Sequence, residues 1–290
     1  MSGGTRILFK NTYYITAEGW KIGFLYIDGD RIKEDGQEPD PIHELSELQY
    51  DAEWKGVAIH GLSAIVDTYE YISRGGQVDF SVFSKHELKA LAELGLSVAL
   101  SHGISLPVVI STHYDVVVNV LKENNLPGVI IWDQEPITVG NVIYLQLKNG
   151  AVFSERGLLG DAKALICRPS SINEKCAFLD LRGTLDPRSA IHMAFQHLST
   201  ERLYNLLTEP YRRLGLDNGY AERNNLSDIV YYRTLNPDTL YPMRNPGDAW
   251  TIFSRLPQPE AVVVRGEVIY EKGEHLVYTF TRRKYGFLFE

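Results

Sequence analysis

Short alternations of apolar and polar positions crowd both ends of the chain, and between them apolar runs alternate with stretches of helical spacing. Residues 6–16 and 22–28 are rich in β-branched and aromatic side chains, and a Gly29-Asp30 turn leads into a strand over 31–33. The acidic, proline-bearing stretch 34–47 reads as a spacer, and 56–60 and 64–68 read as strands parted by Gly61. In the middle, 78–83 predicts a strand and 85–94 a helix ending at Gly95, a residue suited to the position after a helix. Apolar runs at 97–101 and 108–112 predict strands, 115–124 a helix, and 129–132 a buried strand after Pro127-Gly128. Residues 144–153 predict a hairpin, because Asn149-Gly150 suits a type I′ turn.

Strands at 164–168 and 176–182 close this series. Asp186-Pro187 then offers an N-cap with proline at the first helical position, opening a helix to about 198. A second helix starts at Ser199 or Thr200, is interrupted by Pro210 and ends at Gly215. The tail returns to strands over 229–232, 261–270 and 276–281. Strands alternating with helices imply an α/β fold, a sheet or barrel of the β/α kind, over 61–225. Only about 115 residues lie between 68 and 182, against the roughly 200 that eight compact βα units need, so the barrel is expected to be reduced or incomplete. Each β-rich end alone is too thin to bury its apolar face, so 1–60 and 226–290 are expected to form one composite β-sandwich.

Composition narrows the function classes. A hydrophobic share of 44% supplies a packed core, and a net charge of −8 argues against nucleic-acid or anionic-membrane partners. The densest basic run, Arg282-Arg283-Lys284, reads as a solvated strand edge. Two cysteines, Cys167 and Cys176, are too few for a disulfide scaffold or a zinc knuckle, and read as buried small residues in a reduced compartment. No apolar stretch reaches the roughly 18 residues that span a bilayer, and the N-terminus lacks the apolar core of a signal peptide. A cytoplasmic location is expected.

Three stretches carry a resemblance. The first pairs Ile7 to Thr12 with residues 27–32; the second runs from Gly61-Leu62 to Asp67-Thr68. The third runs from Leu198 through Thr208-Glu209-Pro210, Gly219, and 226–230 to Val264-Arg265-Gly266-Glu267 and Gly273. Together they resemble the amidohydrolase superfamily of dihydroorotases, cytosine and adenine deaminases and imidazolonepropionase-like enzymes. The resemblance implies a metal-dependent TIM-like (β/α) barrel. Its ligands come from the C-terminal ends of strands, and an aspartate on the last strand serves as base toward metal-bound water. In that superfamily the first barrel strand ends in His-x-His. Here Tyr69 and Tyr71 stand there in one register, Val66 and Thr68 in the ungapped one, and no histidine in either. A phenol with a pKa of about 10 is a poor divalent-metal ligand near neutral pH.

The remaining candidates follow from that pattern. Asp180, in an otherwise apolar strand, is the preferred equivalent of the last-strand aspartate; Asp186 is the other, with a competing role as a helix cap. His102 and His113 follow predicted strands, where a barrel places ligands, but a surface or capping role fits both. Asp67, Tyr69 and Tyr71 are the candidate pocket, since residues at i and i+2 of a strand face the same way. Lys163 matches a bridging lysine only by its order in the chain.

The reading that follows is an amidohydrolase-like protein with an eroded or absent metal centre and no cofactor, acting as a binding, scaffold or regulatory protein. Its partner would be a protein or a small molecule, and a homo-oligomer is compatible with the sequence. The alternative is a hydrolase of the C–N (non-peptide) bond of a cyclic amide or amidine. It would use one zinc or other divalent metal on an atypical site of His102, His113 and Asp180.

Overall fold

The computed structural model describes residues 5–68, 80–111, 113–183, 186–233, 245–271 and 274–275. In chain order the elements begin with β1 (Arg6–Thr16), β2 (Gly19–Asp28), β3 (Arg31–Gly36), β4 (Leu48–Asp51), β5 (Gly56–His60) and β6 (Leu62–Ile65). Then come α1 (Lys85–Ser101), β7 (Ile104–Val109), α2 (Tyr114–Glu123), β8 (Gly128–Trp132), β9 (Ile137–Val139) and β10 (Val142–Lys148). Next are β11 (Ala151–Ser154), β12 (Gly157–Asp161), α3 (Ala162–Leu165), β13 (Ile166–Cys167), β14 (Phe178–Leu179), α4 (Pro187–Ala194) and α5 (Thr200–Leu214). The last are β15 (Ile229–Arg233), α6 (Ala249–Arg255), β16 (Ala261–Val264), β17 (Glu267–Glu271) and β18 (Glu274–His275). The chain divides into two compact units, Met1–Gly61 with Gly215–Glu274, and Leu62–Leu214 with His275–Glu290.

In the first unit both ends of the chain share one sheet, ordered β18-β17-β16-β15-β5-β1-β2-β3. β1 is the organising strand. One edge pairs with β2 throughout, with a bulge between Phe9 and Thr12. The other edge pairs with β4 over Ile7 to Lys10 and with β5 at Tyr13 and Tyr14. The changeover falls at Asn11, whose φ of 53° turns the backbone and whose side chain donates to Asp51 at 2.9 Å. The sheet curls. The Tyr50 hydroxyl of β4 reaches Glu271 of β17 at 3.0 Å, although the two strands lie on opposite sides of β5 and β15 in the pairing order. Inside the curl, the rings of Phe9, Tyr50 and Tyr231 pack with centroids 4.9 to 5.7 Å apart over Ile7, Leu25, Ile27 and Val263. Among the described residues the strands from both parts of the chain thus form one curved sheet.

The second unit is built on parallel strands. β6, β7, β8 and β10 pair in parallel, with α1 entering β7 and α2 linking β7 to β8. β13 and β14 are also parallel, and just beyond β14 Asp180 forms a parallel bridge with Ile65. Leu181 donates to the Ile65 carbonyl at 2.9 Å. The parallel run thus reads β13-β14-β6-β7-β8-β10, and past β10 an antiparallel meander of β11 and β12 takes over. Among the described residues this is part of a (β/α) barrel and not a closed ring.

Several expected elements are corrected. The run 97–101 is the last turn of α1, not a strand, and the following strand lies at 104–109 in place of 108–112. Residues 80–82 form a 3-10 turn in place of the expected strand, and 78–79 lie outside the described residues. α1 opens on a Ser84/Glu87 capping box and runs through Gly95; the glycine in the left-handed region after its end is Gly103, with φ 83°. Gly95 serves close approach instead: a Cβ there would lie 2.5 Å from the Thr68 carbonyl oxygen. Gly95→Ala is therefore expected to destabilise by about 1–3 kcal/mol in a denaturant titration, where an exposed helical Gly→Ala gains up to about 1 kcal/mol. A stabilised variant would contradict that packing.

Pro210 does not interrupt α5, which runs unbroken while burying Leu203, Leu207 and Tyr211 and packing on β6 and β14. That burial, with a 2.8 Å contact between the Tyr211 hydroxyl and Ser105, outweighs the backbone hydrogen bond that proline removes. The Asn149-Gly150 hairpin is as expected, with φ of 51° and 76°. Asp186 caps α4 through the Arg188 N–H, and the helix ends at Ala194. The cysteines are also corrected: Cys167 and Cys176 are joined as a disulfide. Parallel pairing of β13 with β14 folds the connecting segment back and brings their Cα atoms to 5.8 Å.

Candidate functional site

In a parallel βα array the chain leaves each strand at the same edge, so residues just past the strand ends converge. At that edge stand Asp67 after β6, His113 after β7, Trp132 at the end of β8, and Asp180 and Arg182 after β14. Asp180 is buried. The Arg182 guanidinium grips it with a planar fork, Nε to Oδ1 and Nη2 to Oδ2, both at 2.9 Å. The Ile65–Asp180 bridge places Asp67, two residues past Ile65, beside Arg182, two residues past Asp180. The hydrogen bond to Asp180, then the charges of Asp180 and Asp67, raise the Arg182 pKa against the opposing effect of burial. The arginine is held firmly as a cation between two carboxylates.

An aromatic wall stands at the same edge. Trp132 meets Tyr114 edge-on at 5.5 Å and Tyr144 at 4.6 Å. The Trp132 indole Nε1 is buried and has no hydrogen-bond partner among the described residues. The edge thus carries an aromatic plane, two carboxylates and one guanidinium.

The sequence candidates are not all brought together. His113 lies at the C-terminal end of β7, whereas His102 caps the C-terminus of α1 and precedes β7. The two sit at opposite ends of a strand about 16 Å long, so one metal cannot take both. His102 is engaged structurally: its Nδ1 donates to the Val98 carbonyl at 2.7 Å and its Nε2 lies 3.7 Å from Asp186. Asp186 is the α4 cap, its pKa lowered when the Arg188 N–H and side chain and His102 overcome the effect of burial. Tyr69 and Tyr71 lie outside the described residues. Sequence reasoning missed Arg182 and Trp132. Arg182 was signalled by its i, i+2 spacing from Asp180 in an extended segment; Trp132 carried no signal beyond ending an apolar run.

Among the described residues no three His, Cys, Asp or Glu side chains are grouped closely enough to hold a divalent metal, and both oxygens of Asp180 accept from Arg182; positions 69 and 71 at the end of the first parallel strand lie outside the described residues.

A second buried polar pair lies in the first unit. His60, fully buried at the end of β5, has Nδ1 2.9 Å from the Gly61 carbonyl and Nε2 2.9 Å from Asp217 Oδ2. Both partners are acceptors, so the ring is satisfied only as a doubly protonated imidazolium. Burial opposes that charge, but Asp217, then Asp228 and the Gly61 carbonyl, raise the pKa overall. Asp217, against its own burial, is lowered by His60 and by the N–H groups of Gly219 and Leu226. It is a structural pair in the sheet unit.

No family profile matches the chain, and no curated protein matches it by sequence. Solved structures do match. A triazine hydrolase from Arthrobacter aurescens superposes with a TM-score of 0.71 at 12% identity, covering 96% of this chain and 97% of that one. The fold is that of these hydrolases. A zinc complex of atrazine chlorohydrolase from Arthrobacter aurescens TC1 matches with a TM-score of 0.70 at 12% identity, over 96% and 99% of the two chains. Escherichia coli guanine deaminase matches with a TM-score of 0.66 at 12% identity, over 93% of this chain and 100% of that one. Among the described residues no helix is long and apolar enough to cross a membrane.

Proposed function

We propose that the chain is a hydrolase acting on a C–N bond of a small nitrogen heterocycle, a cyclic amidine or an aminated ring, bound at the C-terminal edge of the parallel strands. The observation that carries this reading is the match over nearly the whole chain to a triazine hydrolase and a guanine deaminase, proteins named for acting on nitrogen rings. The aromatic pair of Trp132 and Tyr114, at the same strand-end edge as Asp67, Asp180 and Arg182, supports it, because such a ring needs a flat apolar contact and in-plane hydrogen-bond partners. Arg182 orients the ring through its outer edge, and an Asp67 carboxylate oxygen takes the proton of the attacking water and returns it to the departing ring nitrogen or amine.

A second reading, ligand binding without turnover, is favoured by one observation: the Arg182 fork that occupies Asp180. A carboxylate whose two oxygens both accept from a guanidinium is committed to holding that side chain in place. One experiment separates the two. Protein purified without added metal is assayed for ammonia release from guanine, melamine and cytosine, with and without zinc, beside elemental analysis. Ammonia release with near one divalent equivalent per chain supports the hydrolase. Ring binding by calorimetry, with neither metal nor release, overturns it in favour of the second reading.

A further inference from the structure

Away from the strand ends, the outer face of α5 carries a cleft of about 210 Å³. Its apolar lining is Ile172, Leu198 and Leu206, and its charged lining includes Arg202 and Arg213. The segment holding Ile172 belongs to the loop closed by the Cys167–Cys176 disulfide, so that wall is covalently tied to β13. The arginines differ in what they have left to donate. Arg212 is committed: its Nε binds Glu209 and its Nη atoms bind Thr208 and the Asn205 carbonyl. Arg213 gives only its Nε to Glu209, at 2.9 Å, leaving its Nη donors unpartnered among the described residues. The Arg202 guanidinium likewise has no side-chain partner among the described residues and stands exposed at the cleft rim, open to an anion from solvent.

From this the geometry points to a second ligand site, distinct from the strand-end edge: a cleft for a small organic monocarboxylate. The carboxylate lies between Arg202 and the free Nη atoms of Arg213, and its apolar body lies on Leu206 and Leu198. The charge balance sets the class. Glu209 is consumed by two arginines and Glu174 stands in the wall, so three arginines against two glutamates leave one positive charge. One charge matches a monoanion better than a phosphate dianion, and a planar carboxylate matches the fork of an arginine. The volume holds a ring-sized body.

Benzoate, its neutral isostere benzamide and inorganic phosphate are the probes, read by ligand-observed NMR and calorimetry on the full chain. Benzoate is expected to bind, with benzamide and phosphate each at least tenfold weaker. Arg202→Met is expected to weaken benzoate at least fivefold without moving the melting temperature, because Arg202 makes no side-chain bond among the described residues. Arg202→Lys should recover part of the loss. Benzamide binding as tightly as benzoate, phosphate binding as tightly, no binding of any probe, or benzoate affinity unchanged in Arg202→Met would each overturn the assignment. Competition by guanine or melamine at equal potency would also overturn it, since benzoate would then be reporting the strand-end site.

Discussion

His60→Leu is expected to lower unfolding stability by about 3–5 kcal/mol, the range for breaking a buried pair and stranding one charge. Asp217 is the charge left behind, and its N–H partners at Gly219 and Leu226 cannot replace the imidazolium. The double variant His60→Leu/Asp217→Leu should recover much of the loss, since the penalty lies in the unpaired ion. Denaturant midpoints at constant m-value give the numbers, and single and double variants of equal stability would contradict the coupling. The pH dependence has a definite sign. His60 has a raised folded pKa, so its contribution is complete below its unfolded value of about 6.5 and is lost as pH rises through the folded value. Asp217 has a lowered folded pKa, so its contribution is complete above about 3.9 and is lost as pH falls through the folded value. Stability from the pair should therefore plateau between about pH 4 and 6.5, and the double variant should lose both shoulders.

Removing the Cys167–Cys176 bond has the next largest expected effect. The residues are nine apart in sequence, and closing so short a loop is worth about 2–3 kcal/mol through the unfolded chain. The Cys167→Ser/Cys176→Ser variant, and wild type under reductant, should both unfold earlier by that amount. Thiol titration of unreduced, denatured protein should find almost no free thiol; two thiols per chain would refute the bond. Because the bridged segment forms one wall of the α5 cleft, reductant should also weaken benzoate binding there.

How far the fold could be read from sequence depends on how local each determinant is. The Asn149-Gly150 turn and the Asp186-Pro187 cap are settled by two adjacent residues, and both were legible. Gly95 was not, because a glycine that ends a helix and one that admits a neighbouring backbone look alike until Thr68 is seen against it. The run 97–101 failed for a related reason: a short apolar stretch has no period that separates a buried helical turn from a buried strand. At the candidate site, Asp180 was visible as a lone acid in an apolar strand, while the engagement of both its oxygens by Arg182 required coordinates. His60 carried no warning at all, since its counter-ion is supplied from a distant part of the sequence.

The pairing of β5 with β15 governs the order in which the molecule can be made. Ile229 is the partner of His60, so the whole strand-and-helix unit emerges from the ribosome between one half of the curved sheet and the other. Until residues 229–233 are synthesised, β5 presents an open row of amide and carbonyl groups along an apolar strand, the kind of edge on which chains associate. The inner unit pairs mostly nearest strands and can form early; the outer one must wait. Nascent chains stalled before residue 229 should therefore depend on chaperones for their N-terminal sixty residues, while those stalled beyond the last strands should not.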